Sequence, residues 1–316
     1  LNEQTWRYDL YTKEIKYLFE LDCGHLAVDA PWQRVGNEHI VLDLNADAQS
    51  AILRLTPFLT EPDRAGKPAS PALDFAAWRD RLLTSAARLP EAADCDLAAY
   101  LLWGNTVHAA GRLVHDAVYM SKNRMQNIWS WDNAFIALAL GRAFPEHAFN
   151  QLDLFFQYQD DSGVFPDFIN DRFLSFNCCK PPVYGYFFAR LMKRHPLLQD
   201  PKTLQRVYSA LERNSRFWLT HRTLTTGTLP VYFHGNDSGW DNSTIFAGGV
   251  PVEAPDLATF LILQLEIQAE LARLLGREEA AARHLAEADD LFMQLTDRLL
   301  DAAGFFARRA PGFEPI

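Results

Sequence analysis

Cysteine is scarce in this sequence, and the few cysteines follow no familiar pattern. The 316 residues include four, two of them adjacent, at Cys23, Cys95, Cys178 and Cys179. That number and spacing fit neither a disulfide framework nor a zinc site. We therefore expect reduced, mostly buried thiols and no metal site, which favours a cytoplasmic protein.

Long apolar runs and positive charge are also lacking. No uninterrupted apolar stretch approaches the roughly 20 residues needed to cross a bilayer, and no charged-then-apolar leader opens the chain. Lys and Arg number 30 against 40 Asp and Glu, so the formal net charge is −10. Nucleic acids and anionic membranes attract basic surfaces, and we expect neither of them as a partner.

Apolar residues, by contrast, make up 48% of the chain and charged residues 22%, which is typical of a globular protein with a sizeable core. Aromatic residues make up 13%, and 8 of them are Trp. Most of these rings are expected in the core, but a surplus of Trp also suits stacking on flat ligands.

The hydrophobic pattern divides the chain into a β-rich part and a helical part. Residues 1–60 alternate like short strands, residues 61–75 form a linker rich in Pro, Ala and Ser, and residues 76–316 show helical periodicity. The expected helices, about seven, cover 97–120, 131–143, 146–159, 182–194, 202–221, 256–275 and 278–300. Because they follow one another in pairs that can pack antiparallel, we expect a helical bundle, solenoid or toroid.

The first unusual segment is "NIWSWDNAF", residues 127–135, at the start of a predicted helix. It places Trp129, Trp131 and Asp132 beside one another, so that two indoles and a carboxylate are available to a ligand. The alternative is structural, with Asp132 capping the helix N-terminus or interacting with it through its charge while the tryptophans pack.

The second unusual segment lies in the long loop that follows, where "DSGVFPDF" precedes "NCCKPPVYGYFF". Asp167 comes after a proline and Lys180 before two, so that both are rigidly presented, and Tyr184 stands close by. Each segment taken alone is also compatible with an ordinary turn.

The third is "GNDSGWDNST", residues 235–244. Trp240 offers an apolar face, while Asp237, Asp241 and Asn242 offer hydrogen bonds, which is the combination that a sugar ring requires. A pair of Asx-turns is the structural alternative. Calcium binding by the oxygen-rich side chains is a further alternative, but the spacing does not match a helix-loop-helix calcium loop and leaves the indole without a role.

Together these segments resemble known enzymes. "WSWDNAF" and "DSGWDNS" are similar to the two signature segments of glycoside hydrolase family 63 and of the trehalases of family 37, and "GVFPDF", "KPPVYGY" and residues 252–276 fit the same order. The resemblance runs from about residue 97 to residue 276. It implies inverting α-glycosidases on an (α/α) toroid of six helical hairpins, often preceded by a β-sandwich domain.

Carried over residue by residue, the resemblance assigns Asp241 as the general acid. It places Trp131 and Asp132 in the lining of the sugar pocket, with Trp240 and Asn242 flanking the acid. The implied partner is an oligosaccharide or a small α-glycoside, either a glucoside or a mannoside, and the chemistry requires no cofactor.

The resemblance also implies that the chain holds part of the toroid. Six hairpins comprise twelve helices against the seven or so expected here, and the family's general base is a glutamate that we expect beyond residue 316. Residues 1–60 would then be the end of the β-sandwich and residues 76–316 a partial toroid. A non-catalytic carbohydrate-binding protein that lacks the base is the competing hypothesis.

Overall fold

The structure is a computed structural model that describes residues 4–10, 15–47, 50–58, 75–85, 92–123, 125–225 and 228–310. Internal contacts divide the chain into two units, residues 1–72 and residues 73–316, each of which is described by itself. The predicted linker over 61–75 lies outside the described residues except for its last residue, which begins the first helix.

The first unit is built from short antiparallel strands. They are β1 (Thr5–Leu10), β2 (Ile15–Cys23), β3 (His25–Asp29), β4 (Trp32–Gln33), β5 (Gly36–Asn37), β6 (Val41–Asn45) and β7 (Ile52–Phe58). β2 is the centre of a sheet in the order β1-β2-β7, while β3 pairs with β6 and β4 with β5. Leu18, Phe19, Leu26 and Phe58 are its buried apolar residues. Their assignment to the end of a sandwich stays a prediction.

The second unit is mainly helical, as predicted. Eight α-helices occur among the described residues: α1 (Phe75–Ser85), α2 (Ala92–Gly104), α3 (Ser130–Leu140), α4 (Pro145–Gln157), α5 (Tyr184–Met192), α6 (Pro201–His221), α7 (Pro255–Leu274) and α8 (Glu278–Leu299). None of the helices described is both long and apolar enough to span a bilayer.

The helix predicted over 97–120 is wrong in its second half. α2 ends at Gly104, and the chain then forms two short strands, β8 (Thr106–Val107) and β9 (Ala117–Val118), paired antiparallel. Gly111 between them has φ +56°, and a Cβ at this position would lie 2.0 Å from the carbonyl oxygen of Asp171. A left-handed residue in such close contact marks a turn, so the apolar spacing around it belongs to a hairpin.

α1 was not among the predicted helices. Its buried residues, Trp78 and Leu82, are four apart and therefore share one face. Trp78 stacks on Phe144 at 5.0 Å between ring centroids, which fixes α1 against the turn between α3 and α4.

α7 packs against α5, α6 and α8 through a seam that includes buried amides. Gln264 donates to Asn214 Oδ1 (3.1 Å) and Ser215 Oγ (3.0 Å) on α6. Gly185 brings α5 close, since a Cβ there would lie 3.1 Å from the Cα of Gln264. Because buried polar groups are costly unless they are paired, these bonds fix the register between the helices.

The remaining strands of this unit are two residues long and lie in the connections around the helices. They are β10 (Ile128–Trp129), β11 (Phe168–Ile169), β12 (Leu174–Ser175), β13 (Val231–Tyr232), β14 (Val252–Glu253), β15 (Leu300–Asp301), β16 (Gly304–Phe305) and β17 (Arg308–Arg309). The orders β10-β11-β12 and β13-β14-β17 give two three-stranded sheets, and β15 pairs with β16. Pairing of Trp129 with Phe168 places the start of α3 beside the loop that carries Asp167.

The sheet β13-β14-β17 contains a buried ion cluster. Glu253 is fully buried, and its two carboxylate oxygens lie 2.6 Å from Arg298 Nη2 and 2.8 Å from Arg308 Nε. The carboxylate is thus paired with one arginine from α8 and one from β17. Removal of a single partner leaves a buried charge undercompensated, which is far more costly than the loss of a surface pair.

We expect Arg298→Met to reduce the free energy of unfolding by about 3 kcal/mol, because Glu253 then keeps one of its two cations. Arg283→Met is the matched control on the same helix, since its ion pair with Glu212 is about half exposed, and the expected loss is below about 1 kcal/mol. Urea denaturation of both variants measures the difference. Equal losses would show that the buried cluster does not stabilise the fold in this way.

Candidate functional site

The first signature segment crosses from β10 into α3. Trp129 occupies the position before the helix, with no side-chain capping bond, and Asp132 lies in the first helical turn. Asn133, rather than Asp132, accepts a hydrogen bond from the Trp129 backbone N–H, at 3.0 Å. Asp132 is therefore not the residue that caps α3.

Asp132 lies within electrostatic reach of the other charged groups predicted for the site. Burial raises the pKa of Asp132, the ammonium of Lys180 lowers it, and the carboxylate of Asp241 raises it further. Three residues from three separate segments are thus brought together, although the last two lie far from α3 in sequence.

Trp131 forms the contact between α3 and the third segment. Its ring packs against Phe135 at 5.2 Å and Phe260 at 5.9 Å between centroids. Gly239 also contacts this ring, with φ +77°, and a Cβ at this position would stand 2.8 Å from the indole. Only glycine combines this left-handed backbone with so close an approach, and the approach places Trp240 and Asp241 next to Trp131.

Asp237 holds two loops together from within. The residue is 2% exposed, and its Oδ1 accepts from the backbone N–H of Cys179 at 2.9 Å. Its Oδ2 accepts from the backbone N–H groups of Phe233 and His234, both at 3.1 Å, and from Arg222 Nη1 at 3.2 Å. Both oxygens are therefore occupied by the protein, while the sugar contact suggested by the sequence stays a prediction.

Lys180 is the cation of the cluster. Its side chain is 8% exposed, and its Nζ lies 3.7 Å from Asp167 Oδ1 and 3.9 Å from Asp241 Oδ1. The ammonium also donates to the backbone carbonyl of Asn236. A buried ammonium thus stands between a buried carboxylate and an exposed one.

Asp167 is the most strongly perturbed carboxyl of the site. Burial raises its pKa from 3.8 to about 6; Lys180 acts against this rise, while Asp237 and Asp241 reinforce it. Its backbone is fixed by two hydrogen bonds, Ser130 N–H to its carbonyl at 3.0 Å and its own N–H to the carbonyl of Ser175 at 2.7 Å.

The exposed side of the cluster is formed by three consecutive residues. Trp240 is 66% exposed, the Asp241 side chain is 53% exposed, and Asn242 is also exposed. They present an indole face, a carboxylate and an amide to solvent. Such a surface can stack on a sugar ring, bind its hydroxyl groups and exchange a proton with it.

Tyr184 and Trp129, both predicted to bind substrate, are more buried than this surface. Tyr184 is fully buried and packs on Phe155, Phe156 and Phe165 with centroids 4.7–5.9 Å apart. Trp129 is partly buried and packs on Phe168. Their contact with a substrate stays a prediction.

Arg222 is the residue that the sequence reading missed. It pairs with Asp237, donates to Cys179 Sγ at 2.7 Å, and its guanidinium lies 5.1 Å from the centroid of Phe233. Burial raises the pKa of Cys179 to about 11, so the thiol stays protonated at neutral pH. The only local signal was an arginine at the end of an aromatic-rich helix, and nothing in the sequence pairs it with an aspartate 15 residues away.

No group of three or more His, Cys, Asp or Glu side chains in the described part of the chain is arranged to hold a metal ion. The site brings together four carboxylates, one ammonium, one guanidinium and the indoles beside them.

Residues 125–312 match the family model described as the mannosylglycerate hydrolase MGH1-like glycoside hydrolase domain. Curated proteins compared with the sequence gave no match.

Solved structures show the same fold at low sequence identity. A family 63 mannosylglycerate hydrolase from Thermus thermophilus in complex with glucose is 20% identical with a TM-score of 0.55, covering 70% of this chain and 67% of that one. The structure named for the same enzyme with Tris is 18% identical with a TM-score of 0.57, covering 70% and 69%. An uncharacterized conserved protein from the same organism is 19% identical with a TM-score of 0.56, covering 70% and 67%. The family 63 resemblance and the partial (α/α) toroid are confirmed.

We expect Gly239→Ala to destabilise the protein by about 2–3 kcal/mol, because the new methyl group meets Trp131 in a backbone conformation that L-residues avoid. Gly248→Ala in the same loop is the control, since a Cβ there meets nothing within 4 Å, and we expect a change within about 0.5 kcal/mol. Thermal unfolding with tryptophan fluorescence measures both. A Gly239→Ala protein as stable as the control would contradict the close contact.

The raised pKa of Asp167 predicts a pH-dependent stability. Its folded pKa of about 6 exceeds the ordinary 3.8, so the folded state binds the proton more tightly and loses stability as pH rises from about 4 through 6. Asp167→Asn removes this loss, and its stability relative to wild type should rise by about 2–3 kcal/mol between pH 4 and pH 8. Urea unfolding at both pH values checks this, with exposed Asp161→Asn as control. A pH-independent difference would count against a buried titrating carboxyl.

Proposed function

The chain belongs to the family of mannosylglycerate hydrolase MGH1-like glycoside hydrolase domains, and from this we propose that it hydrolyses an α-linked mannoside or glucoside with inversion at the anomeric carbon. Membership of this family makes it a glycoside hydrolase domain, whereas the linkage, the stereochemistry and the roles of the residues are our proposal.

We assign the general acid to Asp241. Of the four carboxylates of the site, Asp237 and Asp167 are buried and Asp132 is partly buried. Asp241 is about half exposed and stands between an exposed indole and a buried ammonium. It is therefore the carboxyl that a glycosidic oxygen can reach, and this observation carries the proposal. Asp241 would give its proton to the departing oxygen as the bond to the sugar breaks.

The sugar would be held by the groups beside the acid. Trp131 and Trp240 supply apolar faces on either side of Gly239, and Asp132 and Asn242 supply oxygen and amide groups for hydroxyls. Sugar rings have apolar faces and polar edges, so both kinds of contact are needed to orient them.

The water-activating base stays a prediction drawn from the family resemblance. The resemblance implies that this base is a glutamate. An inverting pair leaves roughly 6.5–9.5 Å between its carboxyl groups so that a water molecule fits between base and sugar.

For the aglycone, we propose a small hydroxy acid such as glycerate. The support is the name of the structural neighbours, which are mannosylglycerate hydrolases, one of them with D-glycerate present in its structure. At 18–20% identity these neighbours show the fold, so substrate choice has to be measured.

The proposal is tested with the full-length protein on a panel of α-mannosylglycerate, α-glucosylglycerate, methyl α-mannoside and trehalose. Proton NMR during the first minutes identifies the released anomer. We expect hydrolysis of at least one glycerate glycoside with the β-anomer appearing first. Early α-anomer would overturn inversion, and calorimetric binding of the sugars without hydrolysis would favour the non-catalytic carbohydrate-binding hypothesis.

Replacement of Asp241 by Asn keeps the shape of the side chain and removes its proton. General acid catalysis typically contributes about 10²–10⁴-fold, so kcat on a glycoside with an alcohol leaving group should fall by that factor. A nitrophenyl α-glycoside needs little protonation to depart and should lose much less. Steady-state kinetics on the two substrates measures the ratio of losses, with Asp161→Asn as control. Equal losses on both substrates would remove the acid role from Asp241.

A further inference from the structure

Lys180 lies within ion-pair distance of two carboxylates at once. Its Nζ lies at nearly equal distances from Asp167 Oδ1 (3.7 Å) and Asp241 Oδ1 (3.9 Å). Its side chain and that of Asp167 are each 8% exposed, whereas Asp241 is open to solvent. The pair of Lys180 and Asp167 is buried and therefore weakly screened, so a change in the charge of either residue alters the electrostatic potential at Asp241.

The carboxylate of Asp167 has few partners that can stabilise its negative charge. Its Oδ1 is buried and, among the described residues, accepts no hydrogen bond of normal length. The cation that faces it is Lys180. The ion pair is therefore the means by which this carboxylate is stabilised, and it takes up part of the ammonium's positive potential.

We propose that Asp167 is a positioning residue that acts through Lys180 to keep Asp241 protonated until the glycosidic bond breaks. The inference rests on the proposed role of Asp241 as general acid. While Asp167 is ionised, it balances Lys180, and the ammonium does not draw the proton from Asp241. When Asp241 gives its proton to the leaving oxygen, it keeps the electron pair of the O–H bond as a carboxylate, which Lys180 then stabilises.

Other charged and titratable groups lie around this trio in the described part of the chain. Asp237 is compensated by Arg222 at 3.2 Å. Burial raises the pKa of the Cys178 thiol to about 11, so the thiol is neutral at working pH. Asp132 faces Lys180 and Asp241 from α3, where burial raises its pKa.

Two substitutions should shift the basic limb of the pH profile of kcat/KM in opposite directions. Asp167→Asn leaves Lys180 unbalanced, which favours the ionised form of Asp241 and moves the basic limb of the kcat/KM profile down by about one pH unit. Lys180→Met removes the cation and moves that limb up by about the same amount. Above the limb, one unit corresponds to about a tenfold change in kcat/KM at fixed pH.

A titration that needs no substrate provides the second readout. The ¹³C signal of the Asp167 carboxyl, followed by NMR, should titrate near pH 6, as expected from its raised pKa. Lys180→Met removes the facing cation and should raise that midpoint, while Asp241→Asn, which is neutral like the protonated acid, should leave it unchanged. This measurement reports the ion pair of Lys180 with Asp167 without the reaction.

The controls separate this inference from the proposed function. Asp161→Asn, an exposed carboxylate in the same loop, should leave both the profile and the titration unchanged. If the protein hydrolyses its substrate but Asp167→Asn and Lys180→Met alter only KM, the two residues are sugar ligands and the positioning role is overturned. If no glycoside is hydrolysed, the proposed function fails, and an Asp167 midpoint unmoved by Lys180→Met overturns the coupling independently.

Discussion

The site depends on a buried anion, the carboxylate of Asp237. A carboxylate removed from water must be met by donors, and here three backbone N–H groups and one guanidinium meet it. These donors come from two loops and from the end of α6. The loops are therefore joined at a single point, and the residues next to that point, Lys180 on one side and Trp240 and Asp241 on the other, take their positions from it.

Solvent exposure of the site's carboxylates increases from Asp237 through Asp167 to Asp241, and their hydrogen-bond and ion-pair partners change as well. Asp237 is buried and fully bonded, Asp167 is buried and faces a single ammonium, and Asp241 is half exposed beside that ammonium. The same functional group thus occurs in three environments within one site. Burial and neighbouring charge are what set a carboxyl's protonation, so the arrangement can divide structural, electrostatic and proton-donating roles among identical side chains.

The features predicted best from the sequence are the helices whose bounds are set by local sequence signals. The three last helices were expected over 202–221, 256–275 and 278–300, and α6, α7 and α8 agree within a residue or so, because long amphipathic periods and prolines at helix starts are local signals. The hairpin around Gly111 was missed because its apolar spacing also fits a helix. The pairing of Arg222 with Asp237 could not be predicted, since it arises only when α6 and the following loop are folded together.

The helix starts show why a local pattern alone does not identify a site residue. β10 leads into α3 and β14 into α7, and each helix has an aspartate in its first turn, Asp132 and Asp256. Burial raises the pKa of both, but the Tyr232 hydroxyl donates to Asp256 at 2.9 Å, whereas no side chain in the described residues donates a hydrogen bond to Asp132. Asp256 is therefore satisfied by its own fold. Asp132 keeps unused acceptor capacity beside Trp131 and Lys180, and unused capacity in a partly buried carboxylate is what a hydroxyl-rich ligand can fill.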